Sequence, residues 1–322
     1  MAAAGRKGRS PRLGSVGRCL SNHDTLPPLS AIVLESLTRS YGARRGIDAI
    51  NLSVPEGSLY GFLGPNGAGK STTIRVVMAL LRPTAGRAFA FGMDCWSRAP
   101  QIKAAIGYLP GDLRLYPWLT GESALRWVGA VRGVALATPG KSLADRLSLD
   151  LRTRVRDMSR GTRQKLGIVL ALAHNPRLLI LDEPTSGLDP LVQAEFRTLL
   201  KERCAEGTTV FFSSHTLGEV EQLCDRIAIV REGRLVADAT LRELRERAGL
   251  EVTVRFKHPH AAAETPPVFL SVTARSDRSW KATYLGEPDT LTRWLAAHEL
   301  EDVSIGRPDL ETLFHRYYAP TP

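Results

Sequence analysis

What this chain is short of narrows it first. Its 322 residues hold only four cysteines, Cys19, Cys95, Cys204 and Cys224, far apart and without a C-x-x-C pair or metal-ligand spacing. Neither a disulfide framework nor a cysteine metal site organises it, and free thiols in a reducing cytoplasm are the expectation. Long apolar runs are missing as well. The longest, Leu166–Ala173, is stopped by His174, Asn175 and Pro176, well short of a bilayer span. Any membrane role must therefore come through a partner. No apolar h-region marks a secretory signal near the start. There is no internal repeat and no sustained heptad pattern. Lysine is scarce, eight of the 43 basic residues, a bias from which no function is read.

What is present is ordinary in bulk. Hydrophobic residues make up 43% and charged residues 24%, the balance of a soluble globule. The length suits one large core, or one large and one small domain. The net charge of +10 is compatible with an anionic membrane surface or with nucleic acid and does not choose between them.

The strongest local signal is Gly64-Pro65-Asn66-Gly67-Ala68-Gly69-Lys70-Ser71-Thr72, which fits the phosphate-binding pattern G-x-x-x-x-G-K-[ST]. Leu59, Tyr60, Phe62 and Leu63 lead into it as a buried strand, and a helix is predicted over Ser71–Leu81. Glycines let backbone N–H groups turn inward around an anion. The helix N-terminus adds partial positive charge. In such loops the lysine reaches the β- and γ-phosphates and the hydroxyl of the next residue ligates Mg²⁺, roles that fall to Lys70 and Ser71.

Leu178-Leu-Ile-Leu-Asp182-Glu183 is the second signal: four apolar residues of a central parallel strand with two carboxylates at its C-terminal end. Ligands bind at that end of open α/β sheets. One carboxylate there, Asp182, is expected to hold the Mg²⁺ shell. Its neighbour Glu183 is placed to orient or deprotonate water. The β-branched and aromatic strand Thr208–Phe212 ends in Ser213-Ser214-His215, which sets a histidine at the same edge, within reach of a γ-phosphate. A lone histidine is usually a satisfied surface residue; these neighbours change that reading.

Between the two signals the chain reads in pieces. Residues 1–29 form a basic tail expected to be disordered. Ile32–Leu34 and Ile50–Val54 read as strands, with Tyr41 between them ahead of the loop. A mostly helical insert starts at residue 112 and carries helices predicted at Gly121–Val131 and Lys141–Leu149. Its tryptophans Trp118 and Trp127 suit a contact surface or a core equally. Ser159 sits where a helix N-cap would, before the amphipathic run Gln164–Ala173. Pro190 starts a helix to about Cys204. After residue 249 come strands at Glu251–Phe256, Val268–Val272 and Trp280–Leu285, a helix at Leu291–Leu300, a short strand at Val303–Ile305, and a helix opened by Pro308.

Together these residues make residues 31–245 resemble the nucleotide-binding domain of an ATP-binding-cassette (ABC) transporter. Gly64–Thr72 matches its Walker A loop, Asp182 its Walker B aspartate, Glu183 its catalytic glutamate, Ser186–Asp189 its D-loop, and His215 its switch histidine. Tyr41 matches the adenine-stacking aromatic. The C-terminal piece resembles the appendage of drug-resistance and ABC-2-type exporter ATPases. The resemblance implies a P-loop α/β fold with a mixed central sheet, an antiparallel β subdomain and a helical insert at about residues 112–170. The cassette spans residues 30–248 and a small α+β accessory domain residues 249–322. It implies ATP and Mg²⁺ as cofactors, with Ser71 and Asp182 toward the metal and Lys70, Glu183 and His215 catalytic. Two copies would pair head to tail, with Ser159, Gly161 and Asp189 of one reaching the ATP of the other. A separate transmembrane permease would be driven, by export, from the inner face of the membrane, and no nucleic-acid partner is expected.

Two positions depart from the family pattern. The usual glutamine after the strand Ile106–Pro110 falls at Gly111, with Asp112 beside it. Arg160 replaces a glycine of the signature. These departures support one alternative, a slow-hydrolysing ATP clamp. A soluble cassette acting on nucleic acid or the ribosome is another, though such proteins usually resemble two cassettes in tandem or carry a long coiled coil, and this chain has one phosphate loop and no sustained heptads.

Overall fold

The computed structural model describes Met1 and residues 30–42, 44–259 and 265–307. The basic tail (Met1 apart) and the helix predicted from Pro308 lie outside the described residues. The chain opens on an antiparallel pair, β1 (Ser30–Tyr41) and β2 (Arg44–Pro55). Strand β3 (Leu59–Leu63) enters the glycine loop and α1 (Lys70–Val77) leaves it. Strands β4 (Ala85–Ala90) and β5 (Met93–Asp94) extend the first pair into a sheet of order β2-β1-β4-β5. Then come α2 (Ala99–Ala105), β6 (Ile106–Leu109), the insert helices α3 (Gly121–Arg132) and α4 (Ala137–Arg146), and α5 (Arg160–Leu172). Strand β7 (Leu178–Asp182), α6 (Pro190–Ala205), β8 (Thr209–Ser214), α7 (Leu217–Leu223), β9 (Arg226–Arg231), β10 (Arg234–Thr240) and α8 (Leu241–Ala248) follow. The chain continues through β11 (Leu250–Phe256), β12 (Leu270–Arg275), β13 (Ser279–Tyr284), α9 (Pro288–Ala296) and β14 (Leu300–Gly306).

The central sheet has the order β10-β9-β3-β8-β7-β6. Strands β9, β3, β8, β7 and β6 are parallel and β10 is antiparallel, so the sheet is mixed. Parallel strands are covered on both faces and read as unbroken apolar runs. β7 shows why. Its alternate residues Leu179 and Leu181 join one core with α5, α6 and the insert, while Leu178 and Ile180 join a second core with α1 and the antiparallel sheet. Burying one such side chain contributes about 1.5–3 kcal/mol. Because the strands are parallel, the loops after β3, β8, β7 and β6 all leave from one edge. That edge carries Lys70, His215, Asp182 and Gly111.

The third sheet, of order β12-β13-β11-β14, is antiparallel and packs α9 through Leu291 and Leu295 onto Val252, Val254, Phe256 and Trp280. Several strands run longer than the sequence reading, β1, β2 and β14 among them, and four other boundaries differ for a local reason. Helix α1 stops at Val77, short of Leu81, as Ala79 turns left-handed at φ +49°. Helix α4 starts at Ala137, ahead of Lys141, because Pro139 fits a first turn and Gly140 lies against Leu125 of α3, where a Cβ would stand 2.5 Å from Leu125 Cδ2. Strand β12 is set at Leu270 by its pairing with Tyr284. Helix α9 starts at Pro288, and the chain is already strand by Leu300, opposite Phe256.

Candidate functional site

The glycine loop is shaped by close approach. Gly69 holds φ +105°, and a Cβ there would stand 2.8 Å from Gly46 O and 2.7 Å from Ile47 Cγ2, so only glycine fits. Lys70 follows as the first residue of α1. Its ammonium is buried, 4% exposed, and donates to Gly64 O at 2.7 Å and Pro65 O at 3.3 Å. A cavity of about 550 Å³ opens over this loop, lined by Tyr41, Asn66, Gly67, Gly69, Lys70, Ser71, Thr72, Arg75 and Glu183 among others. Tyr41 stands at its rim with the Arg39 guanidinium 5.1 Å from the ring centre. Gly46 leaves the tyrosine its place, since a Cβ there would lie 2.8 Å from Tyr41 Cε2.

Glu183 reaches the loop from β7. Its Oε1 lies 3.3 Å from Lys70 Nζ and its Oε2 lies 3.5 Å from His215 Nδ1. The residue sits at φ +49°, a left-handed conformation that a side-chain-bearing residue adopts at a cost of about 1–2 kcal/mol. Ser213 holds it there: the Glu183 N–H donates to Ser213 O at 3.2 Å and to Ser213 Oγ at 3.1 Å. The Ser213 hydroxyl in turn donates to Asp182 Oδ1 at 2.6 Å. Asp182 and Ser213 are register partners across β7 and β8, which is why one hydroxyl serves both acids. Tyr108 of β6 is packed nearby. Burial and then the Asp182 charge push its hydroxyl up to about 12, partly offset by Arg75, so it stays protonated.

Gly111 lies against Asp182. A Cβ built on it would stand 3.3 Å from Asp182 O and 3.4 Å from Asp182 Oδ2, a tight approach that a side chain could take only if the Asp182 backbone gave way by a few tenths of an ångström. The Asp112 carboxylate beside Gly111 accepts from Arg114 Nε at 2.9 Å. Asp182 and Ser71 offer a carboxylate and a hydroxyl, the oxygen ligands that Mg²⁺ takes alongside phosphate and water. No cluster of three or more His, Cys, Asp or Glu suited to a metal occurs among the described residues.

The remaining expected residues sit apart from this cavity. Ser159 caps α5, accepting from Thr162 N at 3.1 Å. Arg160 Nη2 donates to Ser186 Oγ at 2.8 Å. Gly161 passes so close to the turn after Glu183 that a Cβ would lie 2.5 Å from Gly187 O. Asp189 caps α6, accepting from Val192 N at 3.0 Å. Ser159, Gly161 and Asp189 therefore cluster on a second face, and none of them lines the cavity over Lys70.

Sequence reasoning missed Gly46, Arg75, Ser213 and Glu219. Ser213 gives no signal of its own in the sequence, since only the pairing of β7 with β8 sets its hydroxyl opposite Asp182. Glu219 reads as an acid complementing the start of α7. Trp118 and Trp127 resolve to the surface at 64% and 56% exposure, and Tyr116 stacks on Trp118 with ring centres 4.8 Å apart. No helix of the described residues is long and apolar enough to cross a membrane.

A family model described as ABC transporter matches residues 47–186. The bacitracin transport ATP-binding protein BcrA of Bacillus licheniformis is 38% identical over 214 residues, 66% of this chain and 70% of that protein. The daunorubicin/doxorubicin resistance ATP-binding protein DrrA of Streptomyces peucetius is 35% identical over 303 residues, 89% of this chain and 92% of its own length. Among solved structures, an ATP-binding subunit of an ABC transporter superposes with a TM-score of 0.63 at 30% identity, over 68% of this chain and 93% of that one. A dimeric ATP-binding cassette bound to ADP and Pi superposes with a TM-score of 0.59 over 66% of this chain and 99% of its own; at 23% identity it speaks for the fold alone.

Proposed function

The chain belongs to the ABC transporter family as an ATP-hydrolysing subunit that powers a transporter, and from that premise we propose how its own residues do this. Tyr41 stacks the adenine. The Gly64–Thr72 loop and the start of α1 wrap the phosphates with N–H groups, and Lys70 turns its ammonium from Glu183 to the β- and γ-phosphates. Mg²⁺ would be held by Ser71 and Asp182 and, when bound, neutralises charge on the phosphate oxygens. Glu183, set free of Lys70 by the incoming phosphate, polarises the attacking water. His215 holds the γ-phosphate from beside Glu183. A second copy, head to tail, brings Ser159, Gly161 and Asp189 to close the site. Phosphoryl transfer of this kind is positioning and electrostatics, so each loss lowers the rate without unfolding the chain.

The exposed aromatics Tyr116, Trp118 and Trp127 on the insert form the face that meets a membrane permease. The chain then works at the inner face of the membrane. Relatives named for bacitracin and daunorubicin support export of drug-like or lipid-like cargo. The C-terminal residues 249–322 form an accessory domain beside the cassette of residues 30–248.

The observation that carries this reading is the carboxylate of Glu183 standing between Lys70 and His215 over the glycine loop. The test is Mg²⁺-dependent ATP hydrolysis by the purified chain, alone and co-expressed with a candidate transmembrane permease. Glu183→Gln is expected to keep ATP bound and trap the dimer while turnover drops about a hundredfold or more. Wild-type turnover in that variant would remove Glu183 from its role.

A further inference from the structure

Glu219 stands at the third position of α7, where an acid ordinarily serves its own helix. It does not do so here, for Thr216 at the N-cap makes no side-chain cap bond. The carboxylate is spent on two buried hydroxyls from different parts of the site. Glu219 Oε1 accepts from Thr185 Oγ1 at 2.7 Å, and Glu219 Oε2 accepts from Ser214 Oγ at 2.7 Å. Thr185 is 6% and Ser214 1% exposed, so both hydroxyls are held out of bulk water.

The two hydroxyls belong to the two segments that must agree. Thr185 lies two residues after Glu183 and opens the turn that runs to Asp189. Ser214 is the last residue of β8 and immediately precedes His215. Ser214 is fixed further: its hydroxyl accepts from Thr216 N at 2.9 Å and its carbonyl accepts from Gly64 N at 3.3 Å. On the far side of the same turn, Arg160 holds Ser186. The turn is thus tied from α5 by an arginine and from α7 by a glutamate. Only the second tie leads to the histidine.

We propose that Glu219 is a positioning residue for hydrolysis, bridging Thr185 and Ser214 so that Glu183 and His215 keep their separation when ATP arrives; this rests on the ATPase reading given above. Glu219 touches neither nucleotide nor water in this role. Glu219 itself makes no hydrogen bond to the Gly64–Thr72 loop, and the loop meets the bridge only through the backbone bond of Gly64 N to Ser214 O, so ATP affinity is predicted to change far less than turnover.

The test is steady-state ATP hydrolysis by the full chain, with Glu219→Ala, Glu219→Gln and Thr185→Val, each alone and in a His215→Ala background. Glu219→Ala is expected to lower kcat about tenfold with KM for ATP within about twofold. Glu219→Gln, which can still bridge two hydroxyls because each can also accept, is expected to recover most of that loss. In the His215→Ala background, Glu219→Ala is expected to add little, because residues acting as a unit are non-additive. A full additional tenfold loss there, unchanged kcat in Glu219→Ala, or a raised KM at preserved kcat would each overturn the proposal. Should Glu219→Ala fail to fold, Thr185→Val, which breaks one side of the bridge and is likewise expected to lower kcat, carries the same cycle. Absence of turnover in the wild type itself would overturn the ATPase reading and the proposal with it, whereas wild-type turnover with an indifferent Glu219 would overturn the proposal alone.

Discussion

Lys70 and Asp182 are 4% and 3% exposed and bonded to groups of their own chain, whereas Ser159 and Arg160 stand exposed at the start of α5. The two ends of the proposed ATP site are built differently. The phosphate-loop end is assembled from neighbouring strands of one sheet, with every donor and acceptor already placed. The signature end is carried by the start of α5, and Ser159, Gly161 and Asp189 do not line the cavity of the same chain. In the head-to-tail pairing proposed above, the first end would hold the nucleotide and the second would close over a nucleotide that another copy holds. The departures from the family pattern fall one at each end: Gly111 lies against Asp182 on the phosphate-loop edge, and Arg160 stands at the start of α5.

Three substitutions sharpen or break that contrast. The largest effect is expected at the preformed end. Lys70→Ala removes the one buried ammonium bonded to the loop and is expected to cut ATP turnover by about a hundredfold or more, with the fold retained by circular dichroism. Turnover near wild type would mean the cavity over the loop is not the reacting site. At the signature end a smaller change, of opposite sign, is expected. Arg160→Gly frees Ser186 and lets backbone approach the partner's phosphate, raising kcat by about fivefold, equal to about 1 kcal/mol of barrier, without altering single-copy nucleotide affinity. Slower turnover would show instead that the arginine itself contributes to the reaction.

The smallest effect concerns how the insert side is tied to the sheet. Arg132 of α3 donates to Ile106 O at 2.8 Å, and His174 Nε2 lies 3.3 Å from the same oxygen. Burial, and then the Arg132 charge, lower His174 from an ordinary 6.5 to about 4. The folded state thus favours the neutral ring. The stability it contributes is full above pH 6.5 and is lost as pH falls toward 4, because the unfolded chain takes up the proton first. His174→Gln is expected to flatten the decline of Tm across that window. An unchanged slope would place the acid sensitivity elsewhere.

Much of this was legible in the residues alone. The glycine loop announces itself because phosphate binding needs particular residue types at fixed spacing within one short segment. The strand Leu178–Asp182 is readable because burial on both faces leaves an unbroken apolar run. Helix starts at Ser159 and Pro190 follow from cap chemistry that is local by nature. Boundaries failed where a neighbour outvoted the local signal. The helix predicted from Lys141 starts at Ala137 instead, with Gly140 packed against Leu125, and β12 takes its register from Tyr284.

What only tertiary structure decided is which distant segments meet. Period-two alternation assigns a residue to a face of a sheet, yet says nothing about which strand lies alongside. The order β3-β8-β7 puts His215, Lys70 and Glu183 within reach of one another although long stretches of chain separate them. It also sets Ser213 against Asp182 and turns Glu219 from a helix-start acid into a bridge between Thr185 and Ser214. Trp118 and Trp127 satisfied core and surface patterns equally, and packing left them in solvent. Residue type and spacing determined the chemistry available to this chain, since those are properties of short segments. Strand order determined the geometry in which that chemistry is held, since hydrogen-bonded pairing between remote strands is a property of the whole fold.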